Sequence, residues 1–76
     1  MATGIFQAMV DKWRSPGVAR SKVGDFSGGI LAHRTMANFD SRGEGPPGRF
    51  YVGRLVVYDA QLLADWMEKR SKKPLK

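Results

Sequence analysis

Gly45–Arg70 reads GPPGRFYVGRLVVYDAQLLADWMEKR, and the fold turns on how this stretch is parsed. Gly45-Pro46-Pro47-Gly48 is a shaped turn, because proline has no backbone donor and fixes φ. Arg49–Val52 and Leu55–Tyr58 are rich in β-branched and aromatic residues and meet at Gly53-Arg54. Asp59 stands where a helix N-cap belongs: its carboxylate can accept a first-turn N–H and suits the positive helix end. Leu62, Leu63, Trp66 and Met67 then recur at helical spacing. The reading is a hairpin over 49–58 and a capped amphipathic helix over 60–70. Arg49 lies at the hairpin base and Arg54 at its tip.

Two hairpin registers compete. A two-residue loop with glycine first gives a type II′ turn and pairs Val52 with Leu55. A three-residue loop, Gly53-Arg54-Leu55, pairs Val52 with Val56 and Phe50 with Tyr58. The second is expected, because it gathers Phe50, Val52, Val56 and Tyr58 on one inward face. Tyr51 and Val57 then face outward with Leu55 in the loop, and these three are candidate self-association residues.

Upstream, Ser41–Gly48 holds three glycines and two prolines, so it reads as a loop leading into the hairpin. In Ala32–Asp40, Met36 and Phe39 can share a buried face with Leu31 or Ala32. His33, Arg34, Thr35, Asn38 and Asp40 would then face solvent. Val18–Phe26 puts Val18, Ala19, Lys22, Val23 and Phe26 on one helical face. Ser27-Gly28-Gly29 re-aims the chain between the two segments. Two short helices about a turn apart make a helix-turn-helix pattern over 18–42. Ile5, Phe6, Met9, Val10 and Trp13 form the stripe of a first helix over 4–14, capped by Thr3 and stopped by Ser15-Pro16-Gly17. Residues 71–76 read as a flexible basic tail.

The 76 residues make one domain, 1–76, and a chain this short buries only about 60% of its unfolded surface. With no cysteine there is neither a disulfide nor a thiolate for zinc. No apolar run approaches the ~20 residues of a membrane span, and no secretory signal is read at the start. A cytoplasmic protein with no membrane partner is expected. Thirteen basic residues against seven acidic give a net charge of +6, which points to a polyanionic partner. Residues 41–76 hold eight of the basic side chains.

Catalysis is not expected. The single histidine, His33, has no second ligand at metal-binding spacing, and no two acids suggest a paired carboxylate site. The glycines at 43, 45 and 48 follow no strand and precede no Gly-Lys-Ser/Thr, so they are no phosphate loop. No cofactor or metal is implied. The candidate DNA-binding residues are His33, Arg34, Thr35, Asn38, Arg42, Arg49 and Arg54. Arginine is shaped for bidentate contact to guanine or phosphate, and asparagine for adenine. Five have a plainer alternative: an exposed helix residue for His33, a solvated helix face for Arg34 and Asn38, a solubilising turn charge for Arg54, an edge-blocking charge for Arg49.

The run from Val18 to Arg70 resembles the excisionase-like and AlpA-like branch of MerR-type winged helix-turn-helix proteins. The residues that carry the resemblance are Phe39-Asp40-Ser41-Arg42-Gly43-Glu44-Gly45-Pro46-Pro47, then Tyr51-Val52-Gly53-Arg54-Leu55-Val56-Val57-Tyr58, then Gln61–Arg70. The order is loop, wing and aromatic helix. The resemblance implies a small α+β, mainly helical fold with a two-stranded wing, a C-terminal helix and an extra N-terminal amphipathic helix. It implies that the helix around Ala32–Asp40 enters the major groove and that Arg54 on the wing meets phosphate or the adjacent minor groove. It further implies a recombination directionality factor. Such a protein binds repeated sites beside an attachment site as a cooperative homo-oligomer on double-stranded DNA. It bends the DNA and biases an integrase, a site-specific recombinase, toward excision of a mobile element or prophage. The alternatives are a transcriptional regulator of phage or mobile-element genes with the same fold, or a basic protein-interaction module that does not bind DNA.

Overall fold

The computed structural model describes residues 4–71. Thr3, expected to cap the first helix, and the basic tail beyond Ser71 lie outside the described residues. The fold is α+β. In chain order it runs α1 (Gly4–Trp13), β1 (Gly17–Ala19), a 3-10 turn (Arg20–Lys22), α2 (Val23–Ser27), α3 (His33–Ser41), β2 (Phe50–Val52), β3 (Leu55–Asp59) and α4 (Ala60–Arg70). The strands form one antiparallel sheet in the order β1-β3-β2.

The helix expected over Val18–Phe26 is corrected by the structure. Its first residues are strand β1, which pairs with β3 through Gly17↔Asp59, Val18↔Tyr58 and Ala19↔Val57. Helix follows only at Val23–Ser27. The reason is non-local: the edge of β3 away from β2 carries backbone groups that need partners, and β1 supplies them. Ala60 N–H donating to the Pro16 carbonyl at 2.8 Å extends the match. The approach is close, since a Cβ on Gly17 would stand 3.0 Å from a Val57 methyl.

The hairpin register is also corrected. Val52 pairs with Leu55, Tyr51 with Val56, and Phe50 with Val57. Gly53 has φ +62°, the positive value that the first position of a type II′ turn requires. Phe50, Val52, Leu55 and Val57 therefore share one face, and Tyr51, Val56 and Tyr58 the other. The expected inward set is split, and Tyr51 lies opposite Leu55 and Val57. The two-residue turn won because a glycine was available where φ must be positive.

The core holds Val18, Val23, Phe26, Leu31, Met36, Tyr58, Ala60, Leu63, Ala64 and Met67. Every helix except α1 contributes a fully buried residue, and β1 and β3 supply Val18 and Tyr58. Helix α1 packs with only partial burial of Phe6, Met9, Val10 and Trp13. It is pinned by Trp13, whose ring meets Phe26 edge-on at 5.6 Å and whose Nε1 donates to the Gly17 carbonyl at 2.9 Å. The α2–α3 turn is held by buried Ser27. Its hydroxyl donates to the Val23 carbonyl at 2.7 Å and accepts from Leu31 N–H at 2.9 Å. Asp59 caps α4 as expected, Oδ1 accepting from Leu62 N–H at 2.9 Å. No helix among the described residues is long and apolar enough to cross a membrane.

Candidate nucleic-acid interface

Helix α3 begins at His33, after an extended Ala32 that gives no side-chain cap. Met36 points into the core and sets the rotation of the helix. His33, Arg34, Thr35 and Asn38 are all exposed. Arg34 and Asn38 lie one turn apart, i to i+4, and so share a face. Neither side chain has a partner among the described residues. Ser41, a further turn along, spends its hydroxyl on the Asn38 carbonyl at 2.9 Å.

Asp40 departs from the expected solvent position. Its side chain is only 6% exposed and lies among groups from four segments. Tyr58 on β3 donates its hydroxyl to Oδ2 at 2.5 Å, and Arg20 Nη2 meets the same oxygen at 2.6 Å. Arg20 Nε also donates to the Tyr58 hydroxyl at 3.0 Å, closing a triangle. Arg49 Nη1 stands 3.0 Å from Oδ1, an ion pair whose N–H is not aligned on the oxygen. The backbone of Gly45 closes over the same atom: a Cβ there would lie within 1.9 Å of Oδ1. Burial pushes the Asp40 carboxyl up, but the hydrogen bonds from Tyr58 and Arg20 and the adjacent charge of Arg49 outweigh it and hold it below its ordinary value. Burial pushes the Tyr58 hydroxyl up to about 12, the adjacent carboxylate adding to the effect and Arg20 opposing it. Burial works against the Arg20 charge, but its bonds to Tyr58 and Asp40 raise its pKa above the ordinary value.

This cluster fixes the geometry of the surface. Asp40 lies in the last turn of α3, Arg20 follows β1, Arg49 immediately precedes β2 and Tyr58 is the next-to-last residue of β3. Helix α3 and the hairpin are thus tied at one point rather than merely adjacent. Between them runs an open groove of about 300 Å³, lined by Arg20, Ala37, Asp40, Ser41, Arg49 and Tyr51. Ala37 and Ser41 belong to the Arg34–Asn38 side of α3, so that side continues into the groove and onto β2.

The seven candidates therefore divide. His33, Arg34, Thr35 and Asn38 are brought together on α3. Arg54 is exposed at the hairpin tip with no partner among the described residues. Arg49 is drawn to Asp40, though 36% of its side chain is exposed. Arg42 pairs with Glu44 at 3.2 Å and covers the Phe39 ring at 5.2 Å, so it braces the loop. Phe39 in turn meets Trp66 edge-on, and Trp66 Nε1 donates to the Glu44 carbonyl at 3.1 Å. Sequence reasoning missed Arg20. Its place in an expected helix hid it, and only the pairing of β1 with β3 carries it to Asp40.

Among the described residues no group of His, Cys, Asp and Glu could hold a metal ion. Comparison with known proteins finds no matching family model, no matching curated protein and no matching solved structure.

Proposed function

We propose that this chain is a sequence-specific double-stranded DNA-binding protein of the winged helix-turn-helix type, with α2 and α3 as the helix pair and β2–β3 as the wing. The observation that carries the reading is the Arg34–Asn38 face of α3, exposed and without a side-chain partner among the described residues, held to an arginine-tipped hairpin through the Asp40 cluster. A helix of this width fits the major groove, and Arg and Asn one turn apart suit guanine and adenine edges. Arg54 contacts backbone phosphate or the flanking minor groove. The net charge of +6 supplies the nonspecific attraction.

Within that class the favoured role is a recombination directionality factor that binds repeated sites, bends DNA and turns an integrase toward excision in the cytoplasm. The chemistry of the surface is consistent with binding rather than catalysis. One small monomer with a handful of phosphate contacts binds weakly, so function calls for several copies on adjacent sites. Ile5 and Ile30, 64% and 62% exposed, offer an apolar surface for contact between copies. A gel-shift titration with random duplex at low salt tests the DNA reading, and absence of binding overturns it. An excision assay with the integrase encoded beside the gene tests the narrower role. Binding without any effect on excision would favour a transcriptional regulator.

A further inference from the structure

Strand β2 is an edge of the sheet, and no strand among the described residues covers its outer side. In a two-residue hairpin the closing rung, here Val52–Leu55, is a hydrogen-bonded pair, and antiparallel rungs alternate in type. Tyr51 therefore turns its N–H and C=O away from β3. No group outside the sheet among the described residues takes them up. Edge strands are commonly closed off by a charge, a proline or a bulge, and β2 holds none of these. Phe50, Tyr51 and Val52 are 48%, 64% and 55% exposed. The two faces beside this edge differ. On one, Phe50, Val52 and exposed Leu55 present an apolar surface. On the other, Tyr51 borders the groove whose charged groups are Arg20, Arg49 and Asp40. The nearly buried Asp40 is shared by two more exposed guanidiniums, so the groove is positive overall.

We infer that β2 takes an extended segment of another protein as a further strand, one in which acidic and aliphatic side chains alternate. Such a segment bonds to the outward N–H and C=O of Tyr51. Its successive side chains point to opposite faces. Alternate residues therefore meet the Phe50–Val52–Leu55 surface, and those between them meet the basic groove. Aliphatic side chains suit the first. Carboxylates suit the second, where arginine can donate two parallel bonds to one acceptor group. Nothing here requires α3 to bind DNA. A second copy is a poorer occupant. Two β2 edges paired antiparallel about Tyr51 would set Arg49 of each copy beside Gly53 and Arg54 of the other. Residues 45–58 hold no acid to offset those like charges. A duplex would match the charge of the groove but has no peptide groups to pair with the Tyr51 backbone.

The test uses the whole chain, isotope-labelled, and a capped synthetic peptide of alternating valine and glutamate. Fluorescence anisotropy measures affinity, and amide-exchange NMR reports on Tyr51. The peptide is expected to bind and to slow exchange of the Tyr51 amide. A peptide of alternating valine and lysine is expected to bind about tenfold more weakly, because the groove then meets like charge. N-methylation of all the valines or of all the glutamates should act unequally: one pattern abolishes binding and the other spares it, since only alternate amides face the edge. Tyr51→Pro removes the outward N–H without touching a bond to β3, and circular dichroism checks that it folds. It should lose as much affinity as the disabling methylation. The peptide series leaves the protein unchanged and decides the matter even if that variant does not fold. No binding at about millimolar peptide, equal affinity for the glutamate and lysine peptides, or a Tyr51 amide left unprotected by bound peptide overturns the inference. So does a wild-type dimer in sedimentation that Tyr51→Pro abolishes, which gives the edge to a second copy. Protection of the Tyr51 amide by random duplex and not by the peptide gives the edge to nucleic acid and overturns it equally.

Discussion

The hydroxyl of Tyr58 on β3 donates to Asp40 Oδ2 at the end of α3, 18 residues away in sequence, at 2.5 Å. This bond joins the sheet to the helix proposed to read DNA. Both side chains are nearly removed from water, so neither can exchange its partner for solvent at small cost. Tyr58→Phe keeps the ring in the core and deletes only the hydroxyl. It is expected to cost about 1.5–3 kcal/mol, the range for a hydrogen bond to a charged group. Urea unfolding at neutral pH measures this. A midpoint equal to the wild type would mean that Arg20 and Arg49 satisfy Asp40 without Tyr58.

The same pair sets the response to pH at both extremes. The Asp40 carboxyl is held below its ordinary value in the folded chain. Its stabilising contribution is therefore present above the unfolded value of about 3.9 and is lost as pH falls through the folded value. Tyr58 is raised to about 12 against roughly 10 when unfolded. Its contribution is intact below pH ~10 and is lost as pH rises toward about 12, because a phenolate there would be buried away from water and would face the Asp40 carboxylate. Thermal melts across both ranges should show the acid loss reduced in Asp40→Asn and the alkaline loss reduced in Tyr58→Phe. An alkaline loss unchanged in Tyr58→Phe would place its origin elsewhere.

Gly45 has no room for a side chain. A Cβ would fall within 1.9 Å of Asp40 Oδ1 and 3.1 Å of its Cγ, so the buried carboxylate itself must move. Gly45→Ala is expected to destabilise by about 1–3 kcal/mol, the usual cost of overpacking. It should also loosen the tie to Arg49. Gly43, at φ +71°, meets nothing within 4 Å, so Gly43→Ala costs only backbone strain of about 1–2 kcal/mol. Combining each with Asp40→Ala separates the two mechanisms. Gly45→Ala should become nearly silent in that background, whereas Gly43→Ala should keep its full effect.

Much of the fold was legible because local rules and tertiary needs agree there. Asp59 caps α4 and the helix runs over Ala60–Arg70 as its apolar spacing indicates. Gly28 at φ +67° ends α2 where glycine punctuation placed a break. Strand β1 was hidden because Val18 and Ala19 also fit a helical stripe, and what decides is the unpaired edge of β3, nearly forty residues on. The register was misread because four apolar residues on one inward face looked better than a type II′ turn. Val56 and Tyr58 alone proved enough to cover the core side. In the candidate site, Arg34, Asn38 and Arg54 were legible as exposed residues in polar positions. Asp40 was not: an acid near a helix end normally faces water, and its burial needs Arg20, Arg49 and Tyr58 at once.

The two parts of the proposed interface should respond differently to mutation. Arg34 and Asn38 project from α3 without partners among the described residues, and base edges are the contacts that carry sequence information. Arg34→Ala or Asn38→Ala should cost about 1–3 kcal/mol at a selected cognate site and much less on random duplex. Arg54 at the tip should act on all duplexes alike, and Arg54→Ala should flatten the slope of log K against log salt by about one unit. Arg49 falls between these cases, because its ion pair with Asp40 competes with any phosphate. Arg49→Ala should therefore lower both stability and affinity, and Arg49→Lys should restore the second more than the first. Filter-binding titrations on selected and random duplexes, run beside urea melts of each variant, resolve the five substitutions. Equal losses on both duplexes for Arg34→Ala and Asn38→Ala would mean that α3 positions the protein without reading bases, and sequence preference would then have to come from the hairpin.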